Sequence, residues 1–307
     1  MDTILSILPR EIEEKIIAVT KANMGDIEEI RLRVNRPLEI LTSTKTVFIP
    51  YVVKVTEAEK LIAKLGNHSF YTLEEELRRG YITVEGGHRI GLAGKVVLEN
   101  GKVKGIRNIS SFNIRIAKEK IGIGEKWIPY LYDSEWKHTM IIGPPQTGKT
   151  TLLRDFARIM STGSKRRNIS AKKVGIVDER SEIAGCFQGI PQMTFGNRID
   201  VLDACPKAEG MMMMIRSMSP DILVVDEIGR KEDTEAILEA VNAGIRLFMT
   251  THGENFADLQ NRPTLKPILE KKIFQRFIEL KRINGPGKVV SLKDENGREI
   301  YGKAGVI

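Results

Sequence analysis

Cysteine is nearly absent from this chain, with only Cys186 and Cys205 among 307 residues. The two share no C-x-x-C spacing and are too few for a four-cysteine metal site or a disulfide framework, so a reducing cytosol is the expected setting. Aromatic residues make up 6%. That is thin material for the stacking platforms that hold single-stranded nucleic acid, and no helicase motif is recognisable. No stretch approaches the roughly 20 apolar residues that a membrane-spanning helix requires, so any membrane contact is expected to be peripheral. Residues 1–8 run into an acidic, helix-patterned segment and do not read as a secretory leader. No internal repeat or low-complexity segment stands out.

What is present is ordinary in bulk. Hydrophobic residues are 41% and charged residues 29%, and 48 basic against 40 acidic side chains leave +8. Such an excess suits nucleic acid, anionic lipid or an acidic protein. Spread along the chain as it is here, it reads first as solvated surface lysine. The length permits two domains, each with its own core.

The informative stretch is Gly143-Pro144-Pro145-Gln146-Thr147-Gly148-Lys149-Thr150, a complete G-x-x-x-x-G-K-[ST] loop. An apolar segment at 139–142 suits a buried strand before it. Leu152, Leu153, Phe156, Ile159 and Met160 recur at helical spacing after it. Glycines let the backbone wrap a phosphate while successive N–H groups and a helix N-terminus face the negative charge. In that arrangement Lys149 reaches the β- and γ-phosphates of ATP and the Thr150 hydroxyl ligates Mg²⁺, with Thr151 beside them. A plain glycine turn explains neither the flanking strand nor the helix, so the stretch reads as a P-loop nucleotide site.

Before the loop, residues 9–19 read as an amphipathic helix and 30–34 as a half-buried strand. Further strands are expected at 38–41, 46–53, 80–84, 88–98 and 106–116, and helices at 56–65 and 72–79, the latter with a capping-box-like Thr72 and Glu75. Glu85-Gly86-Gly87 makes a good hairpin turn. The mix lacks βαβ regularity and predicts an α+β domain over 1–120. Arg31, Arg33, Arg89, Arg107 and Arg115 recur in it. They read as outward-facing strand residues, with phosphate contact across an interdomain cleft as the sharper alternative. Residues 121–132 read as a linker. Over 133–307 strands at 140–142, 174–177, 222–225 and 246–250 alternate with helices, the mark of a mostly parallel sheet. A hairpin is expected around 284–287. The run Met211–Met214 reads as helix core or flexible contact surface.

Three further strand ends carry polar groups, which is where α/β sheets place ligand chemistry. Asp226 and Glu227 follow an apolar strand and read as a Walker B element, Asp226 in the Mg²⁺ shell and Glu227 polarising the attacking water. Asp178 and Glu179 end another strand, where one carboxylate is placed to orient water or a magnesium ligand, with capping of the next segment by Asp178 or Ser181 as the structural alternative. Thr250-Thr251-His252 ends a fourth and places His252 where a γ-phosphate sensor belongs. Arg180, Arg216 and Arg230 lie near strand ends, each a candidate for stabilising a transferring phosphate in its own subunit or a neighbour's.

In this order the motifs resemble the secretion-type ATPases that drive type II and type IV secretion and pilus assembly. The loop is similar to their Walker A element, Asp178-Glu179 to the acidic box, Asp226-Glu227 to Walker B and Thr250-Thr251-His252 to the histidine box. Arg216 followed by Ser219-Pro220-Asp221 resembles their approach to Walker B. Glu29-Ile30-Arg31-Leu32-Arg33, the segment 87–94, Asn113-Ile114-Arg115-Ile116, Val177–Glu182 and Val225–Arg230 more closely resemble a sporulation branch of endospore-forming bacteria. The resemblance implies a RecA-like P-loop NTPase domain behind a smaller α+β N-terminal domain. It also implies ATP hydrolysis with Mg²⁺, a homo-oligomeric ring of six and membrane-channel partners of a secretion-like complex. The place it implies is the mother-cell cytoplasm, against the membrane around the forespore. Two departures stand out. The four-cysteine zinc module of pilus ATPases cannot be built, and Asp226-Glu227-Ile228-Gly229-Arg230 shifts the arginine by one from their Walker B. The competing expectations are a nucleic-acid-dependent translocase, which the charge permits but the composition disfavours, and a nucleotide-gated scaffold with little turnover.

Overall fold

The computed structural model describes residues 1–20, 24–66, 76–78, 80–283 and 287–302. The chain divides into two compact units, Met1–Lys118 and Glu119–Ile307. The helix expected at 72–79 and the turn at 284–287 fall largely outside the described residues.

The first unit opens with helices α1 (Asp2–Ile7) and α2 (Arg10–Thr20). An antiparallel sheet follows, made of β1 (Ile27–Arg33), β2 (Pro37–Thr42), β3 (Thr46–Val52), β4 (Tyr81–Val84), β5 (His88–Glu99) and β6 (Lys102–Arg115) in the order β3-β2-β1-β6-β5-β4. Helix α3 (Val55–Gly66) lies between β3 and β4 in the chain. Alternation sets the faces: Ile30, Leu32, Ile90, Leu92, Phe112 and Ile114 point inward against Leu61 and Leu65 of α3. Gly86 and Gly87 both take positive φ (85° and 73°) in the three-residue turn that joins Val84 to its partner His88. The recurring arginines mostly meet partners in their own sheet. Arg31 and Arg115 both reach Glu29, Arg33 pairs with Glu39 at 2.5 Å, and Arg89 lies over the Tyr81 ring.

In the second unit, residues 121–132, expected as a linker, are packed. The N–H groups of Gly122 and Gly124 donate to Asp155 at 3.0 and 2.7 Å, and Trp127, Ile128 and Leu131 are buried. The last two lie in α4 (Ile128–Leu131), which a two-residue ribbon, β7 (Tyr132–Asp133) and β8 (Glu135–Trp136), follows. The main sheet contains β9 (Thr139–Ile142), β10 (Val174–Asp178), β11 (Ile199–Asp203), β12 (Ile222–Val225), β13 (Arg246–Thr251), β14 (Arg276–Lys281), β15 (Lys288–Lys293) and β16 (Glu299–Gly302). Their order is β11-β10-β12-β13-β9-β14-β15-β16. From β11 to β14 neighbours run parallel, and β15 and β16 close the edge antiparallel. Strands β9, β10 and β12 are buried along their whole length, as parallel strands covered on both faces must be.

The crossover helices are α5 (Lys149–Thr162), α6 (Lys207–Ser217) and α7 (Lys231–Asn242), with short α8 (Phe256–Gln260) and α9 (Lys266–Glu270) after β13. Helix α5 buries Leu153, Phe156 and Met160, and Phe156 meets Phe248 edge-on at 5.8 Å. Met211 and Met214 of α6 are core, whereas Met213 is half exposed. Strands β11 and β16 were invisible in the sequence because their apolar residues are interleaved with Asp200 and Asp203, or with Glu299 and Gly302. Among the described residues, no helix is long and apolar enough to cross a membrane.

Candidate functional site

Register brings the site together. Val177 of β10 is paired with Val225 of β12, Val225 with Met249 of β13, and Thr251 with Ile142 of β9. Four adjacent parallel strands therefore end at one edge. The residues that end or follow them are Asp178-Glu179, Asp226-Glu227, Thr251-His252 and Gly143.

The loop after β9 has the backbone its sequence predicts. Gly148 sits left-handed (φ 84°) immediately before α5, and Gln146 also takes positive φ at 60°. A Cβ on Gly143 would stand 2.6 Å from Thr147 Oγ1 and 3.0 Å from the Leu280 carbonyl oxygen, so only glycine fits there. Thr147 Oγ1 donates to the Pro144 carbonyl at 2.8 Å, pinning the turn. Pro145 and Gln146 are exposed at its tip, and Thr151, the third residue of the helix, is half-buried. Lys149 is buried, its Nζ donating to the carbonyls of Gly143 and Pro144 at 2.9 Å each and lying 3.2 Å from His252 Nδ1. Burial lowers the Lys149 pKa, and the nearby Asp226 and Glu227 carboxylates oppose that shift.

Beside it, the Thr150 hydroxyl donates to Asp226 Oδ2 at 2.6 Å, and the Thr250 hydroxyl donates to Asp226 Oδ1. Glu227 holds a left-handed backbone (φ 55°), unusual for a residue with a side chain. Its N–H is anchored by Thr250 Oγ1 at 2.9 Å and Asp226 Oδ1 at 3.1 Å, which fixes that conformation. Its carboxylate is shared: Oε1 lies 3.1 Å from His252 Nε2, and Oε2 lies 3.0 Å from Arg180 Nη1. Thr150 and Asp226 are hard oxygen donors side by side. Mg²⁺ usually takes one or two protein ligands and fills the rest of its octahedron with water and substrate phosphate, and this pair fits that demand.

The acidic strand end does two jobs. Asp178 is buried and accepts from the N–H groups of Glu182, Ile183 and Ala184 at 2.8 to 2.9 Å, so it folds the following turn. Its pKa is pushed up to about 6, chiefly by burial, with Asp203 adding to the rise and the three N–H bonds opposing it. The same turn is held from below by Arg154 of α5, which donates to the carbonyls of Ile183 and Glu182 at 2.6 and 2.5 Å. Glu179 reaches the site's edge and pairs with Lys207, the first residue of α6. Lys207 and Arg154 escaped the sequence reading, because each meets its partners 28 or 29 residues away through tertiary packing.

Arg216 is not brought to this cluster within the chain. Helix α6 starts at the site with Lys207 and runs back toward the start of β12, so Arg216, nine residues on, lies roughly 13 Å away along the axis. It is exposed there, in a groove with Met212, Met213 and Glu239. Arg230 is also exposed, at the start of α7, where its N–H and that of Gly229 donate to Asp233. A cavity of about 450 Å³ adjoins the loop, lined by Gly148, Thr151, Trp127, Val289, Tyr301 and Lys126, among others.

Topology and motif placement together define a RecA-like P-loop fold of the secretion-ATPase type. The structure is similar to the ATPase DotB of Legionella pneumophila, with a TM-score of 0.63, 16% identity, and 94% of this chain and 81% of that one covered. It is likewise similar to the pilus retraction motor PilT, solved with bound ADP, with a TM-score of 0.61, 17% identity, and 91% and 82% covered. The chain belongs to the family described as sporulation stage III, protein AA, whose profile matches residues 1–300. Stage III sporulation protein AA of Bacillus subtilis (strain 168) is 53% identical over 306 residues, which is 100% of this chain and 99% of that protein.

Proposed function

We propose that this protein is a Mg²⁺-dependent ATPase that powers assembly of, or transport through, a secretion-like channel during endospore formation. One observation carries the reading. A complete phosphate loop, an oxygen pair for a metal and a carboxylate set for water stand at one sheet edge, joined by Thr150–Asp226 at 2.6 Å and Lys149–His252–Glu227 at 3.2 and 3.1 Å.

In this reading the loop 143–151 wraps the β- and γ-phosphates, the N–H groups of Gln146–Thr151 and the Lys149 ammonium donating to them while Pro144 and Pro145 shape the turn. Thr150 and Asp226 would hold Mg²⁺, which would supply charge neutralisation at the phosphates. Glu227 orients the attacking water, and its left-handed backbone aims the carboxylate. His252, between Glu227 and Lys149, links the water-holding group to the phosphate-holding group. Glu179 balances Lys207 at the rim. Arg216 has work at a phosphate only if it reaches a neighbouring subunit's site. The cavity beside Gly148 and Thr151 offers Trp127 and Tyr301 to the nucleotide's base.

Family membership supports the biological setting: a homo-oligomeric ring, hexameric as in this class of motor, docked peripherally on membrane-channel proteins from the mother-cell cytoplasm. Equilibrium binding of Mg·ATP tests the site, with light scattering and a DNA and RNA titration on the same samples. Micromolar binding lost in Lys149→Ala, nucleotide-linked assembly and indifference to nucleic acid are expected. Steeply salt-dependent nucleic-acid binding that stimulates turnover would replace the secretion reading with a translocase.

A further inference from the structure

The Arg180 side chain stands largely in solvent, 61% exposed, while its guanidinium contacts the Glu227 carboxylate. Its backbone is the opposite of loose. Asp178 holds the turn by the three N–H groups that follow, Arg154 holds it by two carbonyls, and Ser181 (φ 53°) is tied through its hydroxyl to Asp203 at 2.6 Å. An anchored base carrying a mobile, permanently charged fork suits a group that must change partner during a reaction.

We infer that Arg180 is a catalytic arginine acting in the same subunit as Glu227: it leaves that carboxylate to neutralise the phosphoryl group as it transfers. The inference rests on the ATPase reading above. A water held by Glu227 lies about 3 Å from its carboxylate, with the γ-phosphorus about 3 Å beyond. Arg180 Nη1 is already 3.0 Å from Glu227 Oε2, so rotation of an exposed side chain spans the remaining gap. In the step itself, the water oxygen bonds to the γ-phosphorus as the bond to the β–γ bridging oxygen breaks. The electron pair leaves with ADP, and the water's protons end on phosphate and solvent through Glu227, so ATP and water become ADP, phosphate and a proton. Negative charge collects on the equatorial and bridging oxygens. Lys149 meets it from the buried side and Arg180 from the open side. Once Arg180 has moved, Glu227 regains its lone pairs for the water.

The test is steady-state hydrolysis by the full chain with Mg²⁺, comparing wild type, Lys149→Ala, Glu227→Gln, Arg180→Ala and Arg180→Lys. Arg180→Ala is expected to lower kcat on the order of a thousandfold with KM changed little. Arg180→Lys is expected to recover part of that loss, since it keeps the charge and loses the fork. Binding of Mg·ADP with aluminium fluoride, a mimic of the transferring phosphoryl, should fall in Arg180→Ala while Mg·ADP alone binds as in wild type. Mixing Arg180→Ala with Glu227→Gln subunits should restore nothing, because no subunit then carries both groups. An unchanged or raised kcat, an effect on KM alone, or recovered turnover on mixing would overturn the assignment. If wild type turns over and Lys149→Ala and Glu227→Gln do not, such a result removes only the role of Arg180. Absence of turnover in wild type removes the ATPase reading and this role together.

Discussion

Thr250 offers a sharp perturbation of the site, because one hydroxyl serves two neighbours there. It donates to Asp226 Oδ1 and accepts the Glu227 N–H at 2.9 Å, and the residue is fully buried. Thr250→Val keeps the shape and removes both bonds. The charge-assisted bond to Asp226 is worth about 1.5–3 kcal/mol and the neutral one about 1 kcal/mol. Asp226 retains Thr150, and the Glu227 N–H retains Asp226 Oδ1, so neither partner is left bare. The expected loss is therefore about 2–4 kcal/mol. For a unit of roughly 150–250 residues it lowers Tm by about 4–16 °C. Calorimetry reads the stability, and a Mg²⁺ titration of nucleotide binding reads the site. The metal midpoint should rise along with the loss in Tm, because Asp226 loses a bond that orients it. Thr250→Ser, which restores the hydroxyl, should recover both. A Thr250→Val protein with wild-type Tm and wild-type Mg²⁺ midpoint would refute the view that this hydroxyl sets Asp226 and Glu227.

Gly143→Ala should weaken nucleotide binding by about tenfold or more while the fold persists, since the added methyl pushes Thr147 and meets the Leu280 backbone; wild-type affinity by calorimetric titration would show that the loop absorbs a Cβ. Asp155→Ala should cost about 2–4 kcal/mol in urea unfolding, because it strips the Gly122 and Gly124 N–H groups and Arg158 of a buried acceptor; an unchanged midpoint would mean that 121–132 is not held there. His88 is buried and accepts the Ala117 N–H at Nδ1, 2.9 Å away, and burial pulls its pKa from 6.5 down to about 4. The unfolded chain therefore binds a proton that the folded chain refuses. The stability of the first unit should fall by up to about 1.4 kcal/mol per pH unit as pH drops from 6.5 to 4, and stay flat above. His88→Gln should remove that slope in pH-corrected hydrogen exchange of β4 and β5; equal slopes in both proteins would reject the burial argument.

Much of the site was legible because its signals are local. The loop from Gly143 to Thr150 announces its turn by glycine spacing, and β12 announces itself by four apolar residues before Asp226. Parallel register then carries these local signals to a single edge, so the loop and Asp226 meet without long-range information. What escaped depends on pairing across the fold. Glu179 reads as a strand-end carboxylate with no partner named by the sequence, and Lys207 meets it only because α6 starts at that same edge. Arg216 read as lying near a strand end, which is true of the wrong end, since α6 returns the chain to the edge where β12 begins. Residues 121–132 looked like a linker from Gly122 and Gly124. The same glycines pack there because Asp155 accepts their N–H groups and, at Gly124, because Phe156 leaves no room for a Cβ.

The most direct measurement is phosphate release from Mg·ATP by the purified full chain, alongside Lys149→Ala and Glu227→Gln. The account predicts measurable turnover in wild type and its loss in both variants. Glu227→Gln should still bind Mg·ATP with near wild-type affinity, and Lys149→Ala should not. Turnover that survives Glu227→Gln, or Mg·ATP binding that ignores Lys149→Ala, would contradict the claim that this sheet edge is where the protein works.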